Sequence, residues 1–245
     1  MSPDAESAAE GKAAIREQVW GLLEARGLAT FPRPIHGRIP NFCGAEQAAD
    51  RLADSEPFQA ARTVKINPDA PQRPLRLRAL RAGKRVLVPT PRLRGGFYLL
   101  DPAVIPPNRL LAAASISGFD RYGQPLALDA LPPIDLVVMG SVAVAPDGAR
   151  VGKGEGYAEL EYATLRTLRR LGADTPVCTT VHDVQVVDAI PVEPFDVPVD
   201  LIATPSRLLP TTTPYPRPTG ILWDRLDPER AAEMPVLAEL RAANR

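Results

Sequence analysis

DLVVMGSVAVAPDGARVGKGEGYAELEYATL, residues 135–165, runs from an apolar stretch through a Pro-Asp-Gly turn at 146–148 into a glycine-spaced loop and then a helix-forming segment. An unbroken apolar run is what a strand buried on both faces of a parallel sheet requires. Strand, glycine loop and helix, in that order, is the arrangement by which backbone binds phosphate. Gly152, Gly154 and Gly156 let N–H groups approach an anion with no Cβ in the way, and the helix behind them adds free amides and the positive end of its dipole. Lys153 adds a point charge, and Glu155 and Tyr157 complete the run. No Ser or Thr follows Lys153, so the run is not GxxxxGK[ST]. Gly156 arrives one residue early for GxGxxG. Spacing alone leaves two readings open, a phosphate cradle or a surface turn that starts a helix.

Outward from this segment, RVLVP at 85–89, IDLVVM at 134–139, PVCTTV at 176–181 and DLIAT at 200–204 are expected as strands of one sheet. Helices are expected over 12–26, stopped by Gly27; over 44–54, after a proline-interrupted loop at 32–42; and over 72–82, ending at Gly83. Two more are expected over 157–171, with Ala158, Tyr162, Leu165, Leu168 and Leu171 on one stripe, and over 227–243. The alternation predicts an α/β fold: a single domain over 11–245 with a doubly wound, mostly parallel sheet and helices on both faces. Residues 1–10, polar and acidic, are expected to be a flexible tail.

Composition narrows the function classes. Lys plus Arg and Asp plus Glu are 29 each, so no global field favours nucleic acid or an anionic membrane. The 28 prolines, about twice the usual share, imply many loops. No apolar stretch approaches the ~20 residues of a membrane span. Cys43 and Cys178 stand far apart without a CxxC pattern, which suggests neither a disulfide framework nor a thiolate metal site, and a reducing, cytoplasmic setting is expected.

With DLVV, Pro146, Asp147, Gly148 and Arg150 before it, GKGEGY resembles the signature of the 5-formyltetrahydrofolate cyclo-ligase family. Lys12 and Arg16, four apart, resemble the family's opening helix; AGKRVLVP resembles its central strand; QVVDAIPVEPFDVPVDLIATP resembles its closing segment. GRIPNFCGAEQAA, KINPDAPQRPLR, PTPRLRGGFYLLDP and TTVHDVQV look like a divergent branch. The resemblance implies an α/β fold that uses ATP and Mg²⁺ to convert 5-formyltetrahydrofolate into 5,10-methenyltetrahydrofolate. By the same resemblance Lys12, Arg16 and residues 152–157 would bind ATP. Glu159, in the place of the family's acid, and Asp196, in PFDVPVD, would assist magnesium. The family's loop ends GYYDR, and here Ala158 and Leu160 replace its second Tyr and its Arg. Arg92 and Arg94 are candidates to compensate at a strand end, and Tyr157 is a substrate candidate that could equally anchor the helix. The same fold acting on another substrate, or a non-catalytic nucleotide or folate binder, stays open.

Beside the resemblance stand plainer readings. Lys12 and Arg16 would repel mildly on one helical face unless an anion lies between them, and a solvated basic face is the alternative. Asp196 could be a turn residue. His182 and Asp183, at an expected strand end, are acid-base candidates. Arg62, Lys65, Arg73, Arg76 and Arg78 form a basic stretch whose default is solvent. It lacks aromatic interleaving, which argues against RNA. Ser115 lies in no GxSxG elbow. The expected partner is a small molecule, a reduced folate or analogue, with no nucleic acid and no membrane.

Overall fold

The computed structural model describes residues 3–232 and 234–243. The helices are α1 (Pro3–Ala25), α2 (Ala45–Ala53), α3 (Glu56–Ala60), α4 (Arg73–Arg81), α5 (Leu110–Ala113), α6 (Ile116–Tyr122), α7 (Tyr157–Thr167), α8 (Pro228–Ala232) and α9 (Pro235–Ala243). The strands are β1 (Thr63–Ile66), β2 (Arg85–Pro89), β3 (Phe97–Leu100), β4 (Gln124–Leu126), β5 (Leu136–Val138), β6 (Ala143–Val144), β7 (Arg150–Val151), β8 (Val177–Thr180), β9 (Leu201–Ala203) and β10 (Leu208–Pro210).

Eight strands form one mixed sheet in the order β10-β9-β8-β5-β1-β2-β3-β4. Its centre, from β9 to β2, is parallel, while β10, β3 and β4 are antiparallel at the edges. Alternation along each central strand serves two cores. Leu136 and Val138 of β5, with Val64, Ile66, Val86 and Val88, pack with Leu52, Leu75 and Leu80 of α2 and α4. Val137, Met139, Leu87, Val177 and Ile202 pack on the other face with Tyr162 and Leu165 of α7 and Leu237 of α9. Strands covered on both faces tend to be apolar at consecutive positions, as residues 86–88 of β2, β5 and β9 are, while β8 also buries Thr179, which donates to the Met139 carbonyl at 2.7 Å, and Thr180. Each fully buried Leu or Val contributes roughly 1.5–3 kcal/mol. The expected single α/β domain with helices on both faces is present.

Four local expectations differ. Residues 3–10, expected as tail, belong to α1, and Met1 and Ser2 lie outside the described residues. The helix expected over 157–171 ends at Thr167, since Arg169 takes a positive φ of 55°, yet Tyr162, Leu165 and Leu171 of its stripe are buried. The helix expected over 227–243 is two, α8 and α9; Pro235 opens α9, where its missing N–H costs nothing. The central strand β1, TVKI, was not anticipated because Lys65 interrupts its apolar pattern. Among the described residues no helix is long and apolar enough to cross a membrane, and both cysteines are free.

The chain runs from β1 to β2 on one side and later returns to place β5 on the other side of β1. Strand order therefore reverses between β1 and β5. In open α/β sheets the crevice beyond the carboxyl ends at such a reversal is where ligands sit.

Candidate active site

A cavity of about 680 Å³ opens at that position. Asn67, Pro68 and Asp69 after β1, Pro89 and Thr90 at the end of β2, and Gly140 after β5 form its floor and walls. Lys12 and Arg16 of α1, the glycine loop with Tyr157, and Glu193, Phe195 and Asp196 complete one side. Tyr98, Ile116 and Phe119 add apolar and aromatic lining, and Asp120 a carboxylate.

The glycine loop has the backbone it needs. Gly154 and Gly156 take φ of 102° and 63°, a region that L side chains enter only with strain. Gly156 is the residue that opens α7, an eleven-residue helix whose first amides face the loop. A Cβ on Gly154 would lie 3.4 Å from the Arg16 guanidinium. Arg16 donates from Nε to the Gly152 carbonyl at 2.7 Å, tying α1 to the loop. Burial lowers its pKa, against the opposing pull of Asp196 and Glu193. Lys153 pairs with Glu155 at 2.7 Å on the rim.

Lys12 is not a solvated cation. It is 5% exposed, and its Nζ lies 2.8 Å from Glu193 Oε2 and 2.5 Å from Asp196 Oδ2. Asp196 Oδ2 also accepts from the Glu193 backbone N–H at 2.7 Å, so the carboxylate folds its own loop as a turn residue would. Glu159 pairs with Arg150, which donates its other Nη to the Gly140 carbonyl at 2.7 Å. Burial drives Arg150 down to about 10, although Asp196, Asp69 and Glu161 oppose it and Arg16 adds to the fall.

Below the loop lies a buried pair that the sequence reading did not anticipate. Lys65 is 0% exposed, and its Nζ lies 2.5 Å from Glu161 Oε2 and 3.0 Å from Asn67 Oδ1. Asn67 Nδ2 reaches the same Glu161 oxygen at 3.3 Å. Burial pushes the Glu161 carboxyl up, and Lys65 pulls it down. Arg76 is buried as well, donating to the carbonyls of Asn67, Asp69 and Ala114 at 2.5, 3.1 and 2.9 Å, which fixes the exit of β1. Burial lowers Arg76 to about 9 against the attraction of Asp69. Burial likewise raises Asp69, with Lys153, Arg76 and Lys65 opposing. The expected solvated basic stretch thus divides: Arg62 and Arg73 are exposed, Arg78 pairs with Asp50 at 2.5 Å, and Lys65 and Arg76 are interior groups.

Of the residues singled out from the sequence, the structure brings Lys12, Arg16, residues 152–157, Arg92, Glu159 and Asp196 to the lining of one cavity. Arg94 is exposed and is not among the lining residues, so the two arginines do not converge. Ala158 lines the cavity, whereas Leu160 packs against the core beneath it. His182 and Asp183 also lie off the cavity. His182 Nδ1 accepts from Val184 N–H at 3.2 Å, and Asp183 accepts from Thr204 and Ser206 at 2.7 and 2.5 Å, which closes a turn. Ser115 donates to the Ala112 carbonyl at 2.6 Å, a local turn bond. No local pattern in the sequence marks Lys65 and Glu161 as partners, since 96 residues separate them.

Oxygen donors and one or two carboxylates are what Mg²⁺ accepts when phosphates and waters complete its shell. Glu159 and Asp196 both line the cavity, each already paired with a cation, Arg150 and Lys12 respectively. Among the described residues no group of three or more His, Cys, Asp or Glu is arranged to hold a metal alone.

The chain is an α/β protein with a cavity at the strand reversal, bounded in part by a glycine loop that opens a helix. The chain belongs to the 5-formyltetrahydrofolate cyclo-ligase family, whose model matches residues 8–205. It is 47% identical over 235 residues to a methenyltetrahydrofolate synthase domain-containing protein of Mus musculus, covering 94% of this chain and 63% of that one. The human protein of the same name is 45% identical over 233 residues, with 93% and 61% covered, so the chain spans less than two-thirds of these relatives. The 5-formyltetrahydrofolate cyclo-ligase of Escherichia coli (strain K12) is 28% identical over 176 residues, covering 66% of this chain and 88% of that one. The NMR structure of Aquifex aeolicus 5,10-methenyltetrahydrofolate synthetase shares the fold, with a TM-score of 0.51, 18% identity and 81% and 92% of the two chains covered.

Proposed function

We propose that the cavity is the active site of an ATP- and Mg²⁺-dependent cyclo-ligase that converts 5-formyltetrahydrofolate into 5,10-methenyltetrahydrofolate, releasing ADP and phosphate. The observation that carries this reading is the convergence of Lys12, Arg16, Lys153 and the glycine loop with Tyr98 and Phe119 on the lining of one cavity beyond the strand ends. The loop amides and these cations would bind the nucleotide phosphates. The aromatic wall would take the reduced pterin and its attached ring. In the proposed reaction the formyl oxygen attacks the γ-phosphorus, ADP leaves, and N10 then adds to the activated carbon as the C–O bond breaks and phosphate departs with its electron pair. The N10 proton is lost to a base. Chain residues position and neutralise, which is the main work in phosphoryl transfer. Magnesium, when bound, neutralises phosphate oxygens, and Glu159 and Asp196 are the carboxylates proposed to hold it.

Leu160 takes the family's Arg position without removing a cation from this cavity wall, because position 160 faces the core. Ala158 does replace a ring on the wall, and that favours one alternative: the same phosphate chemistry applied to a different acceptor. Thermal unfolding with ATP, with and without Mg²⁺, tests the shared part of both readings. A ligand that binds only the folded chain raises its melting temperature. No shift at saturating ATP would remove the nucleotide site.

A further inference from the structure

A second cavity, of about 440 Å³, lies at the other end of α7 from the glycine loop. The helix has eleven residues and so rises about 16 Å between the two. This cavity therefore opens at the amino ends of the strands, where the chain turns toward β8. Its lining holds two cations, Arg166 and Arg169, and no carboxylate. Neighbouring arginines are accounted for: Arg170 donates to the Asp129 carbonyl at 2.5 Å, and Arg217 pairs with Asp200. Arg166 and Arg169 differ. Among the described residues neither pairs with an acid, and the buried Nε of Arg166 has no hydrogen-bond partner. The end of α7 does not need their donors either. The carbonyls of Thr164, Leu165 and Arg166 already accept from the N–H groups of Leu168, Arg170 and Arg169 at 3.0, 2.8 and 3.0 Å. Residues 219–222 supply much of the remaining lining and are held close to the helix. Ile221 N–H donates to Thr167 Oγ1 at 3.1 Å, and a Cβ on Gly220 would come within 2.9 Å of the same oxygen. The N–H groups of Thr219, Gly220 and Leu222 have no acceptor among the described residues.

We propose that this second cavity binds a phosphate-type oxyanion, carried by a small phosphomonoester. Two guanidiniums lining one space repel each other unless an anion lies between them. Their planar forks match phosphate oxygens two at a time, and the uncommitted amides of residues 219–222 add donors of the same sign. The space is larger than one phosphate ion, and Leu171, Ile221 and Leu222 give it apolar lining for an organic body. Leu171 and Ile221 are anchored in the core, so that part of the lining is fixed. The assignment uses no residue of the first cavity and stands apart from the cyclo-ligase reading.

The test follows backbone amide resonances of the isotope-labelled full chain during titration with inorganic phosphate and with ribose 5-phosphate, at an ionic strength held constant with sodium chloride. The resonances of Thr219, Gly220 and Leu222 are expected to move along one saturating curve. Ribose 5-phosphate should bind at least threefold more tightly than inorganic phosphate; equal affinity would assign the site to free phosphate. Arg169→Gln should weaken binding at least threefold, and Arg166→Gln/Arg169→Gln at least tenfold. Arg169 is exposed, so the single variant keeps the fold and reports on the site even where the double variant disturbs α7. Lys153→Gln, in the first cavity, should leave the curve unchanged. Resonances that stay still, or that follow sodium chloride as they follow phosphate, would make the two arginines a solvated basic face and overturn the assignment. So would a curve that both arginine variants leave intact. Loss of the curve in Lys153→Gln alone would place the ion in the first cavity, and the assignment would again fail.

Discussion

The Lys12 ammonium lies 2.5 Å from Oδ2 of Asp196, so a cation expected to bind phosphate and a carboxylate expected to assist magnesium are each other's partners. The bond spans 184 residues and joins α1 to the segment before β9 at the cavity mouth. In the proposed reading a phosphate at Lys12 would share it with Asp196 and a metal at Asp196 would share it with Lys12, which would link stability to ligand binding at this pair.

Lys12→Met should destabilise the chain by roughly 3 kcal/mol, because it leaves Asp196 buried without its cation. Lys12→Met/Asp196→Asn should lose less than the single variant. Urea unfolding monitored by circular dichroism gives both values. A Lys12→Met midpoint equal to wild type would mean that the pair contributes nothing and that Lys12 behaves as a surface charge.

Glu159→Gln should cost about 2 kcal/mol of stability, since it leaves the interior Arg150 guanidinium short of an anionic partner. It should also weaken the Mg²⁺ dependence of ATP binding, as should Asp196→Asn. Titration of ATP at several Mg²⁺ concentrations measures the second effect. A Mg²⁺ dependence unchanged in both variants would leave the metal to phosphates and water alone.

Gly154→Ala places a side chain at φ of 102° and brings its Cβ to 3.4 Å from the Arg16 guanidinium. A cost of about 1–2 kcal/mol is expected from the backbone alone. ATP affinity should fall about tenfold or more as Arg16 and the loop shift, read by calorimetry. Wild-type ATP affinity in this variant would move the phosphates elsewhere.

Asp183 supplies a prediction away from the cavity. Burial alone would raise its pKa, but hydrogen bonds from Ser206, Thr204 and Arg207 outweigh it and hold the carboxylate below its usual value. Its stabilisation is complete above the unfolded value of about 3.9 and is lost as pH falls through the lower folded value. The melting temperature of Asp183→Asn should therefore lie under wild type at about pH 6 and approach it as pH falls through the lowered folded value. His182, lowered by burial against the pull of Asp183, loses its contribution in a separate window, as pH falls from about 6.5. Parallel melting curves for the two proteins from pH 3 to 6 would show that Asp183 does not titrate as described.

The fold was legible wherever the local pattern agreed with the tertiary environment. RVLVP and DLVVM read as doubly covered strands because every position meets a helix or a neighbouring strand, and the glycines of the loop read as a cradle because two of them do take positive φ. TVKI failed as a strand signal because Lys65 points into the α7 side of the sheet, where Glu161 neutralises it. That pairing links residues 96 apart and has no local signature. The partners of Glu159 and Asp196 were hidden for the same reason. Arg94 and His182 looked functional from their place at strand ends, but Thr90 and Leu93 turn the first chain away through a tight loop, and the second caps its own turn.

The most direct test of the proposed activity incubates purified protein with 5-formyltetrahydrofolate, ATP and Mg²⁺ while following methenyl absorbance and phosphate release together. The account predicts one phosphate for each 5,10-methenyltetrahydrofolate formed, with both signals abolished when ATP is omitted. ATP binding with neither signal, or phosphate release with no methenyl product, would contradict it.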